Sequence, residues 1–161
     1  MKKFVFPLLL LLPFYSYSST CQENDVLVFS CDLPKNKSAA ICANQTTQTL
    51  NYSFVNNEKI ELSKDFDSNH QLIRWLDKGN YTTYLGFKGG EYFYRFILPQ
   101  ETFGAYASIE IHRKAHLIAT LDCTENSFGE KNIVSKAIQE IPDELGDSET
   151  CYLGLFCQGE N

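Results

Sequence analysis

The sequence predicts a mainly β fold: antiparallel hairpins in a β-sandwich or partly closed barrel, with one C-terminal helix. Three observations carry this expectation. Apolar and polar residues alternate in short runs, the period of a half-buried strand. The runs are separated by Gly, Asn, Pro and Lys turns, one hairpin after another. Aromatic residues reach 14%, with nine Tyr and twelve Phe, a composition that favours strands.

The first pair of runs is Val26–Leu33 and Ala39–Ala43, flanking Pro34-Lys35-Asn36-Lys37. A turn centred on Asn36-Lys37 places Cys31 opposite Cys42, within cross-strand disulfide reach. Leu50–Phe54 and Lys59–Leu62 also alternate. A three-residue turn at Asn56-Asn57-Glu58 puts Phe54 opposite Ile60 and Tyr52 opposite Leu62, with every apolar group on one face. Ser63–His70 reads as a polar connection and Gln71–Leu76 as a short strand.

Tyr81–Phe87 and Tyr92–Leu98 flank Lys88-Gly89-Gly90-Glu91, and Gly-Gly suits a two-residue hairpin loop. One face collects Tyr81, Thr83, Leu85 and Phe87 with Tyr92, Tyr94, Phe96 and Leu98, and is expected to be core. The opposite face carries Tyr84 against Arg95, with Phe93 over Gly86. Tyr and Arg are enriched at binding hot spots, so Tyr84, Phe93 and Arg95 are candidate partner-binding residues.

Ala107–His112 and His116–Cys123 form the last expected hairpin, turning at Arg113-Lys114-Ala115. That turn faces His112 and His116 across the ladder with Glu110 on the same surface, a composition able to hold zinc. Ile133, Val134, Ala137, Ile138 and Ile141 follow a helical spacing, Asn132 can cap it and Pro142 follows. The helix is therefore expected over about 132–141, with an acidic loop-like tail at 143–161.

Residues 1–18 read as a removable export signal. Met1-Lys2-Lys3 precedes an apolar stretch from Phe4 to Tyr15, then Ser16-Tyr17-Ser18. The apolar stretch falls well short of the roughly 20 residues that span a bilayer. The remaining chain, 19–161, is expected to be one disulfide-bonded domain, periplasmic or secreted, with no membrane insertion after signal removal. All six cysteines, Cys21, Cys31, Cys42, Cys123, Cys151 and Cys157, lie in it. An even count in an exported chain reads as disulfides, and no CxxC occurs. The pairing of Cys21, Cys123, Cys151 and Cys157 stays open.

The whole chain carries −6. Losing Lys2 and Lys3 leaves twelve basic against twenty acidic residues, or −8. That balance opposes nucleic-acid binding and anionic membrane surfaces. Residues 122–161 hold nine acids and two bases, so the charge concentrates there. Glu140, Asp143, Glu144 and Asp147 are candidate partner-binding residues that would speed association electrostatically.

Enzyme templates are missing: there is no GxSxG, Walker loop, GxGxxG or HExxH. No catalytic residue and no cofactor is expected.

Phe29-Ser30-Cys31, Cys42, Tyr52-Ser-Phe54, Lys59-Ile-Glu-Leu62, Tyr84-Leu-Gly-Phe87, Tyr92–Phe96 and Leu121-Asp122-Cys123 occur in that order. In them the chain resembles an uncharacterised group of small exported Gram-negative β proteins. More loosely, it is similar in architecture to periplasmic lysozyme inhibitors, which share a Ser-Gly-x-x-Tyr-type loop. Phe103-Gly104-Ala105-Tyr106 keeps a Gly and a Tyr at a different spacing. The likeness implies a binding protein that inhibits a peptidoglycan-active enzyme, either a host lysozyme or a rival's effector. Its partner would be a cationic cell-wall hydrolase or toxin. The alternatives are a structural or assembly protein of the envelope, and a metal-binding protein or hydrolase using Glu110, His112 and His116.

Overall fold

A computed structural model describes residues 21–114 and 116–142. The expected signal at 1–18 and the tail at 143–161, with Cys151 and Cys157, lie outside them. Eleven strands are described: β1 Val26–Leu33, β2 Lys37–Asn44, β3 Thr49–Asn56, β4 Lys59–Phe66, β5 Leu72–Asp77, β6 Thr82–Gly89, β7 Tyr92–Leu98, β8 Ser108–Arg113, β9 His116–Asp122, β10 Glu125–Ser127 and β11 Ile138–Ile141.

They form two sheets, ordered β10-β1-β2-β3-β4 and β11-β5-β6-β7-β8-β9. The first nine strands are two meanders. Each sheet is then completed beside its first strand by a late one, β10 against β1 and β11 against β5. Every pairing is antiparallel except β11 with β5. The sheets share no strand, so this is a sandwich and not a closed barrel.

The core lies between the sheets. Phe29 meets Phe96 edge-on at 5.7 Å, and Tyr52 and Phe66 meet Phe87 at 5.1 and 5.3 Å. Leu50, Leu72, Leu85, Leu98 and Ile109 complete it. Thr83, Leu85, Phe87, Phe96 and Leu98 are buried as the alternation predicted. The hairpin loop is Gly90-Glu91, with Gly90 at φ 63, in place of Gly89-Gly90. Moving the loop by one residue slides the register by two, which keeps every side chain on its face.

In the β3–β4 hairpin the turn is two residues, Asn57-Glu58, both at positive φ. Alone this would throw the apolar residues of β4 to the wrong face. A bulge between Phe54 and Val55 supplies the missing shift, so Leu62 pairs with Phe54 and Phe66 with Leu50. Ile60 lies before the bulge and is exposed.

The Cys31–Cys42 expectation is overturned. Cys31 joins Cys123 and Cys21 joins Cys42. The β1–β2 turn centres on Lys35, so Cys31 pairs with Ala39, and a bulge at Val28 sets Cys42 against Leu27. Cys31 faces the core, whereas Cys42 alternates with the core residues Ile41 and Ala43. The two sulfurs therefore leave β1 and β2 on opposite faces.

The expected helix over 132–141 is replaced by turns and then β11, and no helix occurs among the described residues. The backbone groups that a helix would pair internally are claimed from outside. Arg74 Nη1 donates to the carbonyls of Lys131 at 2.6 Å and Ile133 at 2.9 Å, and Leu72 N donates to Ala137 O. Val134, expected on the apolar face, is exposed. Covering the open edge of β5 outweighs a weak helical spacing.

Candidate functional site

The β7–β8 connection, residues 99–107, projects the most exposed aromatic side chain described. Phe103 is fully exposed and Tyr106 largely so. The tip turns on itself, with Thr102 N donating to Gln100 O at 2.8 Å and Ala105 N to Thr102 O at 3.0 Å. Gly104 has φ 79, a conformation that costs glycine little.

The base of the loop is held from three sides. Ala107 N donates to Asn126 Oδ1, and Cys123 N donates to Ala107 O. Cys123 is itself joined to Cys31 in the other sheet. On the flank, Glu101 pairs with Lys131 Nζ at 2.9 Å, and that ammonium lies 5.0 Å from the centre of the Phe128 ring. The result is an aromatic tip on a fixed base, a geometry that loses little freedom on binding.

The expected aromatic face around Tyr84, Phe93 and Arg95 is laid out on β6 and β7 away from the core. Tyr84 stacks on Trp75 at 4.8 Å, and Arg95 Cζ lies 6.0 Å from the Tyr84 ring centre. Tyr84 pairs with Ile97 and Gly86 with Arg95, so the Tyr84–Arg95 contact is diagonal. Phe93 pairs with Lys88 instead of lying over Gly86. Trp75 is 3% exposed and Arg95 7%, while Tyr84 and Phe93 are half-buried.

Arg95 donates through Nε and Nη2 to Glu110 Oε2, and His112 Nε2 lies 3.0 Å from the same oxygen. Burial pushes the Glu110 carboxyl up, but hydrogen bonds from His112 and Arg95, and their charge, together hold it below the ordinary value.

The zinc arrangement does not assemble. A bulge between Ile111 and His112 pairs His112 with Leu117 and sends His116 opposite Arg113. His112 and Glu110 point away from the core, while His116 shares the side of Arg113, whose guanidinium pairs with Glu91. Among the described residues no cluster of three His, Cys, Asp or Glu side chains could hold a metal ion.

Glu140 lies on β11 and is bound bidentately by Arg74. Asp143, Glu144 and Asp147 lie outside the described residues. A cleft of about 420 Å³ opens beside Asp25, Asn44, Asn51, Asp65 and Asp67. These side chains already have partners: Asn44 donates to Asp25, Asn51 to Asp65, and Asp67 accepts from Asn69 N and His70 N.

Tyr81 and Tyr92, expected in the core, are exposed, and the exposure of Phe103 was not foreseen from the sequence. The available signal was negative: 99–107 fits neither strand alternation nor helical spacing, yet carries two aromatics. The chain matches no protein-family model, no curated protein and no solved structure.

Proposed function

We propose that this is an exported binding protein that blocks a peptidoglycan-active enzyme by presenting the loop 99–107 to its cleft. The fully exposed Phe103 on an internally hydrogen-bonded loop is the observation that carries the reading. Large aromatics on rigid supports are the usual anchors of protein interfaces. Two disulfides among the described residues suit an oxidising compartment. The Cys21 sulfur is bonded to Cys42, which supports an untethered protein over a lipid-modified one. The acidic balance of the chain favours encounter with cationic wall hydrolases.

Purified protein without residues 1–18 is titrated against lysozymes of several types while peptidoglycan clearance is followed. The expected result is stoichiometric inhibition of at least one, weakened about tenfold or more by Phe103→Ala at an unchanged unfolding midpoint. Full clearance by every lysozyme at molar excess of the protein would sink the reading.

A further inference from the structure

Tyr81 ends the β5–β6 turn in a left-handed conformation, φ 56, and is 59% exposed. Among the described residues six others that are not glycine have positive φ, and none of them is aromatic. They are Lys, Asn, Gln or Glu, which remain well solvated in such turns. A bulky residue there is strained, and exposure means that burial of the ring does not offset the strain.

The turn is otherwise well made. Asp77 Oδ1 accepts from Gly79 N at 2.8 Å, and Asn80 Oδ1 accepts from Thr82 N at 2.9 Å. The glycine is used where a Cβ would come within 3.1 Å of the Asp77 carboxylate. The tyrosine takes the position that a glycine or asparagine would fill at lower cost.

The register places this turn beside the loop 99–107. Thr83 pairs with Leu98, so Tyr81 and Gln100 leave the same end of adjacent strands. Asp122, paired with Ser108, ends β9 at that same end, and Asp77 ends β5 there. Exposed aromatics, the exposed Asp122, the half-buried Asp77 and the exposed Lys78 thus share one end of the larger sheet.

From this placement we infer that Tyr81 is a second contact residue, forming with Phe103 and Tyr106 a two-segment aromatic surface for the cleft of a cationic hydrolase. The inference rests on the proposed function and extends it to the turn 78–81. The protruding rings fit a concave partner, and the exposed Asp122 with the net acidic chain suits a basic cleft rim. The strain at Tyr81 is then retained for the ring it displays.

Tyr81→Gly separates a binding role from a structural one. It is measured for its unfolding midpoint and for inhibition of whichever lysozyme the unaltered protein blocks. The expected result is a midpoint unchanged or raised, with inhibition weakened about tenfold. Inhibition within twofold of the parent would overturn the inference while leaving the proposed function standing. A lowered midpoint would make the ring structural and overturn it too. So would binding of the parent protein to isolated peptidoglycan that Tyr81→Gly loses, because the rings would then serve glycan. If the parent inhibits no lysozyme, the proposed function fails and the inference falls with it.

Discussion

Glu110 holds the charge balance of one sheet face, because a single carboxylate oxygen meets both Arg95 and His112. Its folded pKa is lowered, so the folded state favours the ionised form. The stabilisation is complete above the ordinary carboxylate range and is lost as pH falls through the lowered folded value. Stability of the parent protein should therefore drop on acidification below about pH 4. Glu110→Gln should show a flatter dependence over the same range, read from urea midpoints at each pH. Equal slopes would mean that Glu110 is not the group responsible. Gly129 is the other position where one atom decides. A Cβ there would stand 2.4 Å from Leu27 O and 2.9 Å from Val28 C, at φ 46. Both contacts are backbone and cannot swing aside, so Gly129→Ala should cost at least about 2 kcal/mol in urea unfolding. Unchanged stability would contradict this close approach to the β1 bulge.

At the scale of elements, bulges decided where sequence reading succeeded. Alternation alone placed Tyr52, Leu85 and Phe96 on the core face, because a period of two survives a register slip of two. It failed at Ile60 and His116, which lie between the hairpin turn and the bulge in β4 and in β9. A bulge adds one residue without a compositional mark, so its position could not be read from one sequence. The β11 segment was misread for a different reason. Its apolar spacing is compatible with a helix, and the groups that pull it into a sheet lie some sixty residues earlier. Arg74 binds Glu140 and two carbonyls of the preceding turns. Arg74→Met should therefore speed amide exchange at 138–141 and cost about 1–3 kcal/mol, because the anchors of the strand go with it. Unchanged exchange there would show that β11 is held by the core contacts of Ala137 and Ile138 alone. Glu140→Gln should weaken the same latch, so Glu140 is a structural residue before it is an association charge.

Across the whole molecule, the disulfides tie distant parts in a way that local turn geometry could not reveal. Cys31–Cys123 spans 92 residues and joins the two sheets, while Cys21–Cys42 spans 21. In the chain-entropy account these closures stabilise by about 4–5 and about 3 kcal/mol. Non-reducing peptide mapping should find both pairs, and Cys31→Ser with Cys123→Ser should destabilise more than Cys21→Ser with Cys42→Ser. The longer bridge also fixes Cys123 beside Ala107, the base of the loop that presents Phe103. Fold class was readable because each hairpin is local in sequence. The end that carries the exposed aromatics was not, because Tyr81 and the loop of Phe103 and Tyr106 come to one end of the larger sheet only once β6, β7 and β8 are aligned. The most direct test of the account is amide hydrogen exchange of the protein with and without an inhibited lysozyme. Protection is expected at 78–81 and 99–107, with little change in β3 and β4. Protection centred on β3 and β4, or none at either segment, would contradict it.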